Sequence, residues 1–220
     1  MTDDFVATSR RAVGEWMHAL SESTGSPGGG AGAAVMLGIA AALTSMVAGY
    51  TEAAGGLATQ LDAVRARSRA LRDDALRLAD DDAQASAGFG AAFHLQKGAE
   101  RDAAVGRASI AAAATSAALG ERAVDAVDDL VWLGAHGNRA LVADVVVACG
   151  ALRAAIAGAR TNVSFDLGSV RSAGESLQQI ERENPSLWHS VKRFDDALAR
   201  IDRLTAELDP RAAPTDVPIV

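Results

Sequence analysis

One cysteine, five prolines, four scattered histidines and few aromatic side chains deprive this chain of 220 residues of several common devices. Cys149 has no second cysteine to pair with inside the chain, and its apolar neighbourhood fits a reducing compartment. No His-x-x-x-His pair occurs, and one thiol offers no zinc-ligand spacing, so no metal site is expected. Aromatics make up 4 % of a chain that is 49 % hydrophobic. Its core must therefore come from Ala, Val, Leu and Ile, side chains small enough to let helix backbones approach closely.

Basic clusters are missing too. Lys and Arg are dispersed and the net charge is −7, which argues against a nucleic-acid partner. The N-terminus opens with Asp3 and Asp4 rather than a basic region, so no signal peptide is expected and the location is read as cytoplasmic. Residues 31–49 form an uncharged run dominated by Ala and Gly, with Thr44 and Ser45 inside it and no flanking Lys or Arg. Length alone would let it span a bilayer. Its composition reads instead as a buried core helix, and no membrane partner is expected.

What is present is helical period. The first segment, about Asp4 to Ser21, repeats Phe5, Val6, Val13, Trp16, Met17 and Leu20 at three- and four-residue steps. A Ser/Gly/Pro loop then leads to the small-residue helix from Ala31 to about Glu52. Gly55-Gly56 marks a break, and Leu57 to about Leu95 reads as one long helix that Ser86 to Gly90 could bend. Lys97-Gly98 closes it. Helices follow at about Glu100–Leu119, Glu121–Ala135 and Arg139–Arg160, with turns at Gly120 and His136-Gly137-Asn138. Residues 162–168 read as a loop that could briefly run extended, residues 169–181 as a weak helix, and Asn184-Pro185 as the stop before a last helix, Leu187–Leu208. The expected fold is all-α, a single-domain helical bundle with a buried small-residue helix over residues 1–208. The tail, residues 209–220, holds three of the five prolines and should be mobile.

Three features could carry chemistry. Ser26-Pro27-Gly28-Gly29-Gly30 feeds a helix start, where unpaired N–H groups and the positive dipole end suit a carboxylate or phosphate; a hinge, or close backbone packing, is the plainer explanation. Gly30-Ala-Gly imitates a dinucleotide fingerprint, but a helix precedes it where that motif needs a strand. Asp144 lies among apolar neighbours, with Ala140 and Ala148 a turn away on either side, so it must find a distant cation, lie on an exposed stripe, or act as an acid or base. Asp80, Asp81 and Asp82 are adjacent on a helix, so at most one faces inward, and such runs are usually solvated.

Taken in order, these features resemble the cyclodeaminase domain of formiminotransferase-cyclodeaminase and the free-standing methenyltetrahydrofolate cyclohydrolases. Thr24-Gly-Ser-Pro-Gly-Gly-Gly-Ala looks like the family's Pro-Gly-Gly-Gly opening. Leu78-Ala-Asp-Asp-Asp-Ala-Gln-Ala looks like its Asp-Ala element and places the family aspartate on Asp82. Gly137-Asn-Arg-Ala-Leu-Val-Ala-Asp144 looks like its Gly-Asn-Pro…Ser-Asp element, and Ala151 to Asn162-Val163 like the stretch that follows. Ala31, Arg139, Ala143, Ser86 and Asp166 stand where the family commonly has Ser, Pro, Ser, an aromatic and Asn.

The resemblance implies a helical bundle that dimerises and a tetrahydrofolate derivative as substrate, with no permanently bound cofactor. Asp82 and Asp144 become acid/base candidates. Pro27, Gly28, Gly29, Gly30, Asn138 and Asn162 become substrate-binding candidates, the glycines as a cradle for a folate carboxylate. Hydrolysis of methenyltetrahydrofolate is the first reaction implied, since no transferase domain is attached, and cyclodeamination of formiminotetrahydrofolate the second. Two other readings stand beside it: an enzyme of the same fold with a different cyclic amine or amidine substrate, and a non-catalytic helical dimerisation or binding protein.

Overall fold

The computed structural model describes residues 7–23, 26–172 and 176–210, and among these there are helices and no strand. A 3-10 turn, Thr8–Arg10, precedes α1 (Val13–Ser21). The first helix is thus shorter than its periodicity suggested, because Arg11 and Ala12 are extended. The Asp4–Val6 part of that expectation, Thr24 and the tail from residue 211 lie outside the described residues.

α2 (Gly29–Gly49) is the small-residue helix, with Ala33, Ala34, Leu37, Gly38, Ala40 and Ala41 buried. α3 (Gly56–Phe93) follows Gly55, whose φ of +57° suits a residue without a Cβ. It runs unbroken through Ser86–Gly90. α4 (Ala99–Asp125) and α5 (Val127–His136) come next, then a 3-10 turn, Arg139–Leu141, and α6 (Val142–Ser172). α7 (Leu177–Glu183) is capped by Ser176, whose hydroxyl accepts from the Gln179 N–H, and α8 (Pro185–Leu208) begins with proline in its first turn.

Two boundaries differ from the sequence reading, each for a packing reason. Gly120 is not a turn but lies inside α4, where a Cβ would fall 2.3 Å from Cζ of the fully buried Phe194 ring. The glycine is there to let α8 close on α4. Residues 162–168 are not a loop but continue α6. Asn162, Ser164, Asp166 and Gly168 are weak helix formers, yet Val163, Leu167 and Val170 recur at helical spacing and are all buried. Burying that apolar row outweighs the local propensities.

α2, α3, α4 and α6 form a ring of four packed helices, each touching two others closely, and α8 lies across α4 and α6. α2 runs antiparallel to α3: Ala31 meets Asp82, Gly38 meets Ala75, and Arg65 donates to the carbonyl of Ala48. It is antiparallel to α6 as well, with Gly158 against Ala33 and Asn138, just before α6, bonded to Tyr50. Two helices, parallel to one another, therefore deliver their C-terminal halves to the start of α2. Ion pairs Arg153–Asp202 and Arg160–Asp195 join α6 to α8, but they are exposed, where solvent screens the charges and such pairs contribute little.

The same substitution should have opposite effects at two buried glycines. Gly120→Ala forces Phe194 to move and should cost roughly 1–3 kcal/mol. At Gly38 the new methyl would sit 3.6 Å from Ala75, an ordinary contact. Gly38→Ala should therefore keep or gain up to about 1 kcal/mol from helix propensity, while the larger Gly38→Leu overpacks the α2–α3 contact. Thermal unfolding of the three variants separates these outcomes, and equal losses for both alanine variants would contradict the packing described.

Candidate functional site

The start of α2 has an unusual cap. Gly28 is extended and accepts the first helical bond, from the Gly32 N–H at 3.0 Å, but it has no side chain with which to cap. The cap comes from α3. Asp82 Oδ2 accepts from the Ala31 N–H at 2.9 Å in a buried contact. A Cβ on Gly30 would lie 1.9 Å from Asp82 Oδ1, so the carboxylate fills the space a side chain there would need. The charge that this helix start attracts is thus the chain's own. At Ala31, Asp82 takes the part that the resemblance gives to a substrate carboxylate on Gly28–Gly30.

Of the three consecutive aspartates, one turns inward, as helical geometry requires. Asp82 is 9 % exposed. Asp80 instead accepts from the N–H and hydroxyl of Thr8, at 2.8 and 2.6 Å, and ties the N-terminal 3-10 turn to α3. Ser86 stands one turn beyond Asp82 on the same helix.

The second carboxylate comes from α6. Gly158, Asn162 and Asp166 are spaced by four residues and share one face. Gly158 locates that face, since its Cβ would meet Ala33 of α2 at 2.8 Å. Asn162 and Asp166 continue the row toward the start of α2. Burial raises the Asp82 pKa above the usual carboxylate range, opposed in part by the Ala31 N–H. Asp166 is pushed up to about 6, first by burial and then by the negative charge of Asp82 beside it. Two carboxyls that share a partly buried site cannot both ionise freely. Asp82, whose anion holds an N–H at a helix start, ionises first, and Asp166 keeps its proton into the mildly acidic range.

Asp144 and Asn138 are elsewhere. Asp144 sits in the first turn of α6, where the helix dipole favours an acid. Asp166 is about six turns further along, roughly 33 Å at ~1.5 Å per residue. Within one chain, then, Asp82 and Asp144 do not converge. Asn138 is committed to local structure: its Nδ2 donates to the Tyr50 carbonyl at 3.1 Å, its Oδ1 accepts from the Ala140 N–H at 3.0 Å, and its own N–H donates to Thr51 Oγ1 at 3.1 Å. Its side chain joins the end of α2 to the approach to α6.

The sequence reading missed Asp166 as a partner for Asp82. A signal was available, because residues 158, 162 and 166 share a face once the segment is read as helix. Reading it as a loop hid the spacing.

Comparison with known proteins agrees with this architecture. Residues 12–183 match the family model described as formiminotransferase-cyclodeaminase. Among solved structures, formiminotetrahydrofolate cyclodeaminase from Thermotoga maritima is similar, with a TM-score of 0.77 at 19 % identity over 91 % of this chain and 96 % of that one. At that identity the likeness speaks for the fold. A search of curated protein sequences finds no match.

The raised pKa of Asp166 has a definite thermodynamic sign. A carboxyl at about 6 when folded, against 3.8 in the unfolded chain, favours the folded state fully below pH 3.8 and loses that advantage as pH rises through about 6. Asp166→Asn removes this loss. The Tm of the variant minus that of the parent should therefore grow between about pH 4 and pH 6.5 and then level off. A difference independent of pH would show that Asp166 is not perturbed. Gly30→Ala should displace the Asp82 carboxylate from the Ala31 N–H and cost about 1 kcal/mol of capping, read as a fall in Tm at pH 7.

Proposed function

The chain belongs to the formiminotransferase-cyclodeaminase family, and from that premise we propose that it is an enzyme acting on the one-carbon bridge of a tetrahydrofolate, with Asp82 and Asp166 as its acid/base pair. The observation that carries the reading is the pair itself: two carboxyls from different helices at the start of α2, one of them pushed up to about 6.

The reaction favoured is hydrolysis of the methenyl bridge. That bridge is a cationic amidine spanning two ring nitrogens. Anionic Asp82 stabilises its charge from a buried position, where electrostatic attraction is strong. Asp166, largely ionised at neutral pH and able to be reprotonated, takes a proton from the attacking water. The product of that step is a neutral tetrahedral centre. Asp166 returns the proton to the departing nitrogen as the carbon–nitrogen bond breaks, while the hydroxyl of the tetrahedral centre gives up its own proton to water, leaving the formyl group on the other nitrogen. Asn162, one turn before Asp166, would hold the pterin or the attacking water. Cyclodeamination is the second reading, favoured by the Thermotoga maritima neighbour: the bridge nitrogen outside the ring attacks the formimino carbon and passes its proton to the imino nitrogen, and the same carboxyl, protonated, gives that amine a second proton as it departs as ammonia.

A homodimer completes the proposal. α2 leaves an apolar stripe uncovered, with Met36, Ile39, Met46 and Tyr50 exposed, and Val147 and Phe165 of α6 are exposed beside it. A two-fold axis near Ile39 would pair α2 with its copy in antiparallel fashion. The start of one α2 would then lie against the end of the other, which carries Asn138 and Asp144. This arrangement gives Asp144 a route into the site that a single chain denies it.

Loss of the methenyl chromophore, with ammonia release measured on the formimino substrate, tests the activity and separates the two reactions. Asp82→Asn and Asp166→Asn should each lower turnover by roughly 10²–10⁴-fold while retaining the helical fold. Unchanged turnover in both would remove the acid/base assignment. Mixing inactive Asp82→Asn with Asp144→Asn protein tests the shared site. Heterodimers would recover about a quarter of parental activity, since half the dimers would hold one intact site of two. If Asp144→Asn alone is fully active, Asp144 has no part in the site. Ile39→Glu should yield monomers by light scattering.

A further inference from the structure

A cavity lies on the side of α6 away from Asp166, between the end of that helix, α7 and the first half of α8. Its volume is about 340 Å³, at the small end of the ~300–1,000 Å³ usual for organic ligands. Leu167, Ile180, Trp188 and Val191 form its apolar walls, Leu167 and Ile180 being buried. Arg171 from α6 and Lys192 from α8 also line it, and among the described residues no acidic side chain does. Neither cation forms an ion pair among the described residues. Two cations, one from each of two helices, therefore flank the apolar wall of the cavity.

We infer that this cavity binds a small amphipathic organic acid, an aromatic or branched apolar body carrying one carboxylate. The body packs against Trp188, Ile180 and Leu167, and aromatic stacking on the indole adds to burial. The carboxylate sits at the mouth between Arg171 and Lys192, where charge-assisted bonds from two helices hold it. A neutral molecule of the same shape would leave both cations facing an apolar surface without an anion. This site is separate from the carboxyl pair. Ser164 and Gly168, which line the cavity, each lie two residues from Asp166, roughly 200° around α6. The inference therefore stands or falls independently of the proposed folate chemistry.

Calorimetric titration of the full chain with 4-phenylbutyrate, and in parallel with neutral 4-phenylbutan-1-ol, tests it. Saturable binding of one equivalent of the acid is expected, at least about tenfold tighter than the alcohol at low salt. The double variant Arg171→Gln/Lys192→Gln, both positions exposed and so expected to fold normally, should reduce the acid to the affinity of the alcohol. Val191→Trp should fill the cavity and abolish binding of both. Absence of saturable binding to the folded parent protein overturns the proposal. So does equal affinity for acid and alcohol, or binding of the acid that survives removal of both cations. Failure of the Val191 variant to fold leaves the decision with the charge variant.

Discussion

The molecule is organised around one contact, the Asp82 carboxylate on the N–H of Ala31 with Gly30 making room for it. A helix that begins in glycine brings no cap of its own. Borrowing one from α3 satisfies an orphan donor, fixes the register of α2 against α3, and buries a charge that then perturbs its surroundings. Each consequence needs the others. Without the missing Cβ the carboxylate cannot enter, and without the antiparallel register set by small-residue packing it would not reach.

That packing comes from economy in side-chain size. Gly38 near Ala75 and Gly158 against Ala33 set α2 close to both neighbours, so the helix serves as a spacer between α3 and α6. Close backbone approach is what brings groups from three helices into one site. The same composition leaves the outward stripe of α2 apolar and uncharged, with Met36 and Ile39 exposed. More than half of the most apolar window of α2 is buried within the chain, as a core helix requires, and the remainder is the surface on which the proposed pairing rests.

The two carboxyls illustrate how environment divides like groups. Asp82 and Asp166 are the same residue type at the same site, yet one anion is held by a backbone donor while the other is met by a neighbouring negative charge. Their pKa values separate without help from a cation. Proximity in the fold rather than in sequence causes the split, since α3 and α6 are joined only through α4 and α5. Cys149 shows the contrasting case: burial raises its pKa to about 11, and it serves as core.

Periodicity in the sequence was enough to determine the helical class, the small-residue core helix, the breaks at Gly55, Gly98 and Asn184, and the rule that a single member of Asp80–Asp82 turns inward. These follow from chemistry within a turn or two of chain, where spacing and the conformational freedom of glycine decide the outcome. The family resemblance was legible too, in Pro27–Gly30 and Asp82. Three other outcomes depended on distant neighbours and only the tertiary structure decided them. Gly120 reads as a turn until Phe194 is seen to need its missing side chain. Residues 162–168 read as a loop until Val163, Leu167 and Val170 find a core to fill. Asp144 reads as the neighbour of Asp82 in the same chain until α6 proves to be one long helix with Asp166 at its other end. In each, burial against another helix outweighed a local preference, and no spacing along one segment records which helix that will be.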